Sequence, residues 1–470
     1  MFKMKNIGII GGGFSGTMTA VQLIQQSTNP LSITVFEARD TLNRGIAYNP
    51  GSDKLLLNVI ASKMSAFPDK PDHFLDWVME RKGFAGKDKS LVANSFLPRR
   101  LYGDYLEVAW QEALAKAREK NVSVRVMENR VTDLDLSEEE ILLKPDTGEQ
   151  LTFSQVVIAR GNELPRNPSI DNTDFFKCNL YFQNPWQPAA VKGTPGNLPV
   201  LIIGNGLTMV DTVLSLREEG FGGLVISISP NGFNILPHRH NGMKYTGLVE
   251  ELSEQTSLAE LVRLVNKHVK AVREFGVSAE PVIDSLRPHT QQIWKRLTDR
   301  EREMFMSRLR HLWGVARHRL PTHVHDKIQQ QRINGTLEIK SGKIMDLRES
   351  DGAVAVTYRD KKTNREEQIR VSRVINCTGP ETDITQSSSL LMKNCLSKGV
   401  LVQDKLKLGI RAETDTFRVI DAAGQAHARL HTLGSNLKGE LWESTAVNEL
   451  RSQAERLAKA LLSASTTSSF

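Results

Sequence analysis

The sequence predicts an α/β protein: two doubly wound parallel-sheet halves, each followed by a meander of antiparallel strands, with a helical insertion in the second half. Three observations predict it. A glycine-rich turn, Gly11-Gly-Gly13-Phe-Ser-Gly16, separates an apolar run from a helical pattern. A second turn, Gly204-Asn-Gly206, stands in the same setting. Downstream of each turn, alternating apolar and polar residues lead into a buried run that ends at glycine. Strands alternating with helices read as βαβ units and parallel sheets.

The first strand is Asn6-Ile-Gly-Ile-Ile10, short and apolar as a strand buried on both faces must be. Thr17–Gln26 reads as a helix and Ser32–Glu37 as the next strand. The turn between them has the GxGxxG spacing, and Glu37 follows about 20 residues later. This is a dinucleotide-binding fingerprint. Gly11 makes the tight turn, Gly13 admits a pyrophosphate, and Gly16 lets helix and strand approach. Phe14 and Ser15 lie at the helix start, where free N–H groups and the positive dipole end favour an anion. Glu37 is placed to accept hydrogen bonds from ribose hydroxyls.

The second unit repeats the plan. Leu198–Ile203 is a strand, Leu207–Arg217 a helix opening with Leu207 and Thr208, and Leu224–Ser229 a strand. Met209 replaces the third glycine, and no acid closes the second strand. An NAD-type ribose diol therefore lacks its usual acceptor, so NADPH is expected slightly ahead of NADH, although no arginine stands near.

The meanders form a further repeat. Val131–Leu134, Ile141–Lys144 and Ser154–Gly161 match Ile344–Leu347, Val354–Tyr358 and Ser372–Gly379 in order and pattern. Two fingerprints, each followed by such a meander, are the plan of a two-dinucleotide flavoprotein, with FAD in the first Rossmann-like unit and NAD(P)H in the second. The expected domains are 1–165 with 365–470 for FAD, and 195–364 for NAD(P). Within the latter, Leu248 to Gln331 carries apolar residues at helical spacing and reads as a helical insertion, either packing alone or covering a site.

Composition excludes several classes. The chain has 470 residues, 40% hydrophobic and 24% charged, a normal globular balance that suits two or three domains. Its three cysteines, Cys178, Cys377 and Cys395, are an odd number without CxxC. That argues against a disulfide framework or a redox dithiol and makes a reducing cytoplasm the expectation. The net charge of +7 comes from basic residues spread along the chain, so nucleic acid is not expected as a partner. No apolar run is long enough to span a membrane. Ile7–Ile24 follows Lys3 and Lys5, but its glycines mark a strand-to-helix turn rather than a leader. The HxH pairs His238/His240 and His323/His325 lack the further ligands that a metal needs. His238 and His240 belong to a solvated loop, or line the nicotinamide side, or accept a 2′-phosphate. Arg287 and Arg317–Arg319 are either helix-surface residues or contacts for an anionic substrate.

A longer series of motifs carries a family resemblance. It runs through Arg44-Gly-Ile-Ala-Tyr48, Leu56-Leu-Asn-Val59, Phe96-x-Pro-Arg99-x-x-Tyr102-Gly103-x-Tyr105 and Asn184-Pro-Trp186. It continues with Asp284-x-Leu-Arg-Pro288, Arg317-His-Arg319, Asn376-x-Thr-Gly-Pro380 and Leu441-Trp-Glu-x-Thr-Ala-Val447. The whole resembles the FAD/NAD(P)-binding oxidoreductases whose characterised relatives include a bacterial FAD-dependent urate hydroxylase and an aspartate N-monooxygenase. The resemblance implies FAD and NAD(P)H as cofactors, a small-molecule substrate and hydroxylation. A flavin reductase or oxidase, or a non-catalytic flavin-binding partner protein, are the alternatives. It implies Asn58, Tyr48 and Arg99 near the flavin, Arg99 either touching FAD or capping a helix. It also implies a helix Thr445–Leu462 whose N-terminus faces the flavin, preceded by Gly434 and Trp442. Catalytic residues and oligomeric state are not legible. Three departures stand out: Asn43 where glycine is expected, Ser229-Pro-Asn-Gly232 where an arginine is expected, and Ala159-Arg-Gly161 in place of Ala-Thr-Gly.

Overall fold

The computed structural model describes residues 4–49, 52–238 and 243–463. The chain divides into two compact units. The first comprises the chain up to Asn162, Thr290–Lys295 and the chain from Thr382. The second comprises Glu163–His289 and Arg296–Glu381.

In the first unit, β1 (Lys5–Ile10) leads through the glycine turn into the helix Phe14–Gln26 and then β2 (Leu31–Phe36). The helix Arg99–Glu119 follows, then β3 (Val122–Met127), the meander β4 (Val131–Leu136), β5 (Ile141–Pro145) and β6 (Leu151–Phe153), and β7 (Gln155–Ile158). In the second unit, β8 (Tyr181–Phe182), β9 (Val200–Ile203), the helix Leu207–Glu218 and β10 (Val225–Ser229) precede the helical insertion. β11 (Leu337–Ser350), β12 (Ala353–Asp360), β13 (Glu366–Val371) and β14 (Arg373–Asn376) follow it. The chain then returns to the first unit with β15 (Arg418–Ile420), β16 (Ala426–Thr432) and the helix Val447–Ser463.

The first sheet runs β15-β16-β7-β1-β2-β3, parallel except for β15 at its edge. Its inner strands are apolar throughout, as burial on both faces requires: Ile7, Ile9, Ile33, Val156 and Val157 are fully buried. The meander β4-β5-β6 forms a separate sheet. The second sheet runs β13-β12-β11-β10-β9-β14-β8. There the meander is continuous with the parallel sheet, because β11 pairs parallel with β10 over Leu337–Ser341 and antiparallel with β12 beyond it. Residues 365–381, expected in the first domain, lie in the second unit: β13 pairs with β12 and β14 with β9. The insertion is helical as expected, from Gly247–Glu250 to Thr322–Ile333. No helix among the described residues is long and apolar enough to cross a membrane.

Two expectations follow. A Cβ at Gly16 would lie 1.8 Å from the Gly11 carbonyl oxygen, whereas one at Gly196 would meet nothing within 4 Å. Gly16→Ala should therefore lower unfolding free energy by about 3 kcal/mol or more and Gly196→Ala by under about 1 kcal/mol, read by chemical denaturation. His431, in β16, is buried, and burial, reinforced by Arg418, pushes its imidazole down to about 4. The unfolded chain takes up this proton at higher pH than the folded one. Stability from this group is thus full above about 6.5 and is lost as pH falls toward about 4, by roughly 3 kcal/mol. His431→Leu should flatten that part of the acid-stability profile.

Candidate functional site

The first glycine turn is built by close backbone approach. Gly11 has φ 108°, and a Cβ there would stand 2.4 Å from the Ala159 carbonyl oxygen. Its N–H donates to Phe36 O at 2.9 Å. Gly12, which the spacing leaves unassigned, is also constrained: a Cβ would lie 2.8 Å from Leu42 and 2.9 Å from the Glu37 Cβ. Gly13 is different. The nearest atom to its Cβ position is Gly45 Cα at 3.6 Å. It caps the helix without a side chain, and no acid stands in the first turn. The first intrahelical bond is Thr17 N–H to Gly13 O at 2.9 Å, so the amides before it face outward from the N-terminus. This open, glycine-floored helix end fits a pyrophosphate.

Glu37 follows β2 directly. One carboxylate oxygen accepts from Gly12 N–H at 2.9 Å and the other from Arg39 N–H at 3.1 Å. It holds the turn, and each oxygen keeps a further lone pair for a ribose hydroxyl. Asn43 explains one departure. Its φ is 68°, the left-handed region that asparagine tolerates better than most residues. Its N–H donates to Gly12 O at 2.7 Å, and its Oδ1 accepts from Thr17 Oγ1 at 3.3 Å. Behind it, Phe14 packs its ring 6.4 Å from both Tyr48 and Tyr102, which lie 4.6 Å apart.

Asn58 follows an antiparallel bridge between Leu56 and Pro98, in which Leu57 N–H donates to Leu97 O and Arg99 N–H to Leu55 O. Arg99 is the first residue of its helix, and its Nε donates to Leu56 O at 2.9 Å. It thus fastens the Asn58 segment to the helix start instead of capping with a side-chain acceptor.

The segment after β16 meets the fingerprint. Gly434 has φ 75°, and its Cβ position is 2.9 Å from Ser15 Oγ. Its N–H donates to Gln453 Oε1 and its carbonyl accepts from Ser444 Oγ. Trp442 is buried, stacked on Trp294 at 5.1 Å and 26°, with Lys438 Nζ 5.7 Å from the ring centre. Trp294 Nε1 donates to Gly439 O at 2.8 Å. Neither partner of this tryptophan stack is adjacent in sequence, so the pairing was not legible there. The last helix begins at Val447 rather than Thr445, which lies exposed in the preceding turn. Glu443, at φ 64°, turns the chain out of helical geometry just before it.

The second turn repeats the first. Gly204 has φ 102°, and its Cβ would stand 2.6 Å from Cys377 O. Gly206 caps the helix opening with Leu207 and Thr208, and nothing lies within 4 Å of its Cβ position. Met209, in the third-glycine position, is buried. Asn205 Nδ2 donates to Phe233 O.

Other expectations resolve differently. Arg319 is 3% exposed and bound by Glu280 at 2.6 Å and Asp284 at 2.9 Å, with Arg317 3.5 Å from Asp284. Arg319 itself is buried, and its charge is met by these two carboxylates. His238 pairs backbone with Leu320 at 2.8 Å; His240 lies outside the described residues. No metal-holding cluster occurs among the described residues.

Residues 8–163, one third of the chain, match the FAD-NAD(P)-binding family. The uncharacterized protein YdhS of Escherichia coli is 30% identical over 226 residues. Those residues are 46% of this chain and 40% of YdhS. L-lysine 6-monooxygenase from Pseudomonas syringae has a similar fold: TM-score 0.67, 15% identity, 97% of this chain and 99% of that one. The bacillithiol disulfide reductase Bdr from Staphylococcus aureus is similar at TM-score 0.54 and 12% identity, over 98% and 99%. Residues 8–163 thus match the FAD-NAD(P)-binding family, and the whole chain has a fold similar to those of this monooxygenase and this reductase.

Proposed function

We propose that this protein is an NAD(P)H-dependent FAD monooxygenase that hydroxylates a small molecule. The observation that carries the reading is the pair of glycine-floored helix ends at Gly13 and Gly206, two anion cradles built on one plan. Two dinucleotides are the ligands such a pair suits, one per unit.

FAD bound at the first cradle would supply hydride acceptance from NAD(P)H and activation of dioxygen. The chain supplies the rest. The N-terminus of Phe14–Gln26 offsets pyrophosphate charge, and Glu37 takes the ribose hydroxyls. Gly434, held by Gln453 and Ser444, keeps the turn after β16 against Ser15. The Trp294–Trp442 stack packs this turn with apolar surface, which helps to exclude water.

Thiol chemistry is the alternative that the fold also accommodates. The cysteines speak against it. All three are free; burial pushes Cys377 and Cys395 up to about 12 and also raises Cys178. Such thiols stay protonated at neutral pH and are poor nucleophiles.

Gly13→Val should abolish FAD retention, read from the flavin absorbance of purified protein. The fold should survive, with the melting temperature of the two apoproteins within about 5 °C, because that Cβ meets only Gly45 Cα, at an ordinary contact distance of 3.6 Å. Full FAD occupancy in the variant would remove the first-unit assignment. In the second experiment, a substrate found by screening for stimulated NAD(P)H oxidation is turned over under isotope-labelled dioxygen. One labelled oxygen atom should enter the product. Unlabelled product formed equally well without oxygen would leave a reductase, and no NAD(P)H oxidation at all would leave a flavin-binding protein.

A further inference from the structure

No acid closes β10, yet the turn after it is anchored from several sides. Asn205, inside the second glycine turn, holds Phe233 O. Gly232 N–H donates to Ser229 Oγ at 3.1 Å. Gly232 has φ 60°, and a Cβ there would stand 3.0 Å from the Ser341 Cβ, so the turn is pressed against β11. From the hairpin joining β12 and β13, Lys361 reaches over: its Nζ donates to Asn231 Oδ1 at 2.8 Å, and its N–H to Ser341 O at 2.9 Å.

Lys361 is solvent-facing, and among the described residues no carboxylate pairs with it. That contrasts with Arg319, which two carboxylates neutralise. Arg310 Nη2 lies 3.4 Å from His311 Nε2, and the His311 imidazole is held below its usual range by burial, then by the charges of Arg310 and Lys361. Lys361 thus brings a cation to the turn after β10 from a hairpin distant in sequence.

In a Rossmann-like unit, the group that follows the second strand meets the adenosine ribose. A carboxylate there accepts from a diol, whereas a cation there suits a phosphate. We propose that Lys361, oriented by Asn231, forms the subsite for a ribose 2′-phosphate, so that the second unit selects NADPH over NADH. The inference rests on the assignment of a nicotinamide dinucleotide to the second unit. It names a cation where the strand itself offers none.

The test uses the purified full chain and calorimetric titration with 2′,5′-ADP and with 5′-ADP, which differ only in the phosphate in question. The expected result is about tenfold tighter binding of 2′,5′-ADP, the worth of one charge-assisted contact at this exposure. Lys361→Gln should erase most of that ratio while leaving 5′-ADP unchanged, and Lys361→Arg should retain it. Equal affinity for the two nucleotides in the unmodified protein, or an undiminished ratio in Lys361→Gln, overturns the inference and leaves the dinucleotide assignment standing. Binding of neither nucleotide overturns both.

Discussion

The contact between Gly16 and the Gly11 carbonyl, where a Cβ would be only 1.8 Å away, constrains the first unit more than any other. It presses the helix Phe14–Gln26 onto the end of β1, which aims the unpaired amides of that helix at one point. Once the helix sits there, Gly13 has open space, Glu37 reaches Gly12 N–H, and Ser15 faces Gly434. Each depends on a backbone approach that no larger residue permits.

The same geometry recurs in the second unit at the level of single atoms. Gly11 N–H donates to Phe36 O, and Gly204 N–H to Ile228 O. Ala159 N–H donates to Ile10 O, and Cys377 N–H to Ile203 O. The two capping glycines have near-identical torsions, φ −74° and ψ −168° at Gly13 against φ −84° and ψ −167° at Gly206. The units diverge around this shared core. The first closes β2 with Glu37, whereas the second leaves that position polar and brings Lys361 to the turn beyond it. A common backbone plan thus places a carboxylate just after β2 and a lysine ammonium at the turn after β10.

Around the first cradle, distant parts of the chain converge on the turn after β16. Asp404 accepts from Leu406 and Leu408 N–H and fills the space that a Cβ at Gly439 would need. Asn436 bridges Ile158 O and Thr432 Oγ1, and Trp294 holds Gly439 O. The turn is fixed by a short 3₁₀ helix, Gly434–Leu437, together with these side-chain hydrogen bonds. That is how an irregular segment can stay rigid beside a binding site.

The sequence by itself determined the element types and the places of the glycines. Both follow from local rules: a strand buried on both faces is apolar, and a turn with positive φ or a backbone in contact favours glycine. Thus Gly11, Gly16 and Gly204 were legible from close approach or torsion, Gly13 and Gly206 from the spacing of the turn, as were both meanders and the helical insertion. Asn43 was legible only as a departure; its left-handed torsion, seen in the fold, shows asparagine standing in for glycine. Tertiary structure alone decided what depends on pairing between distant segments. It placed residues 365–381 in the second unit, started the last helix at Val447, set Trp294 against Trp442 and brought Lys361 to Asn231. Such contacts span up to about 150 residues, and strand register and loop closure, not local pattern, bring their partners together.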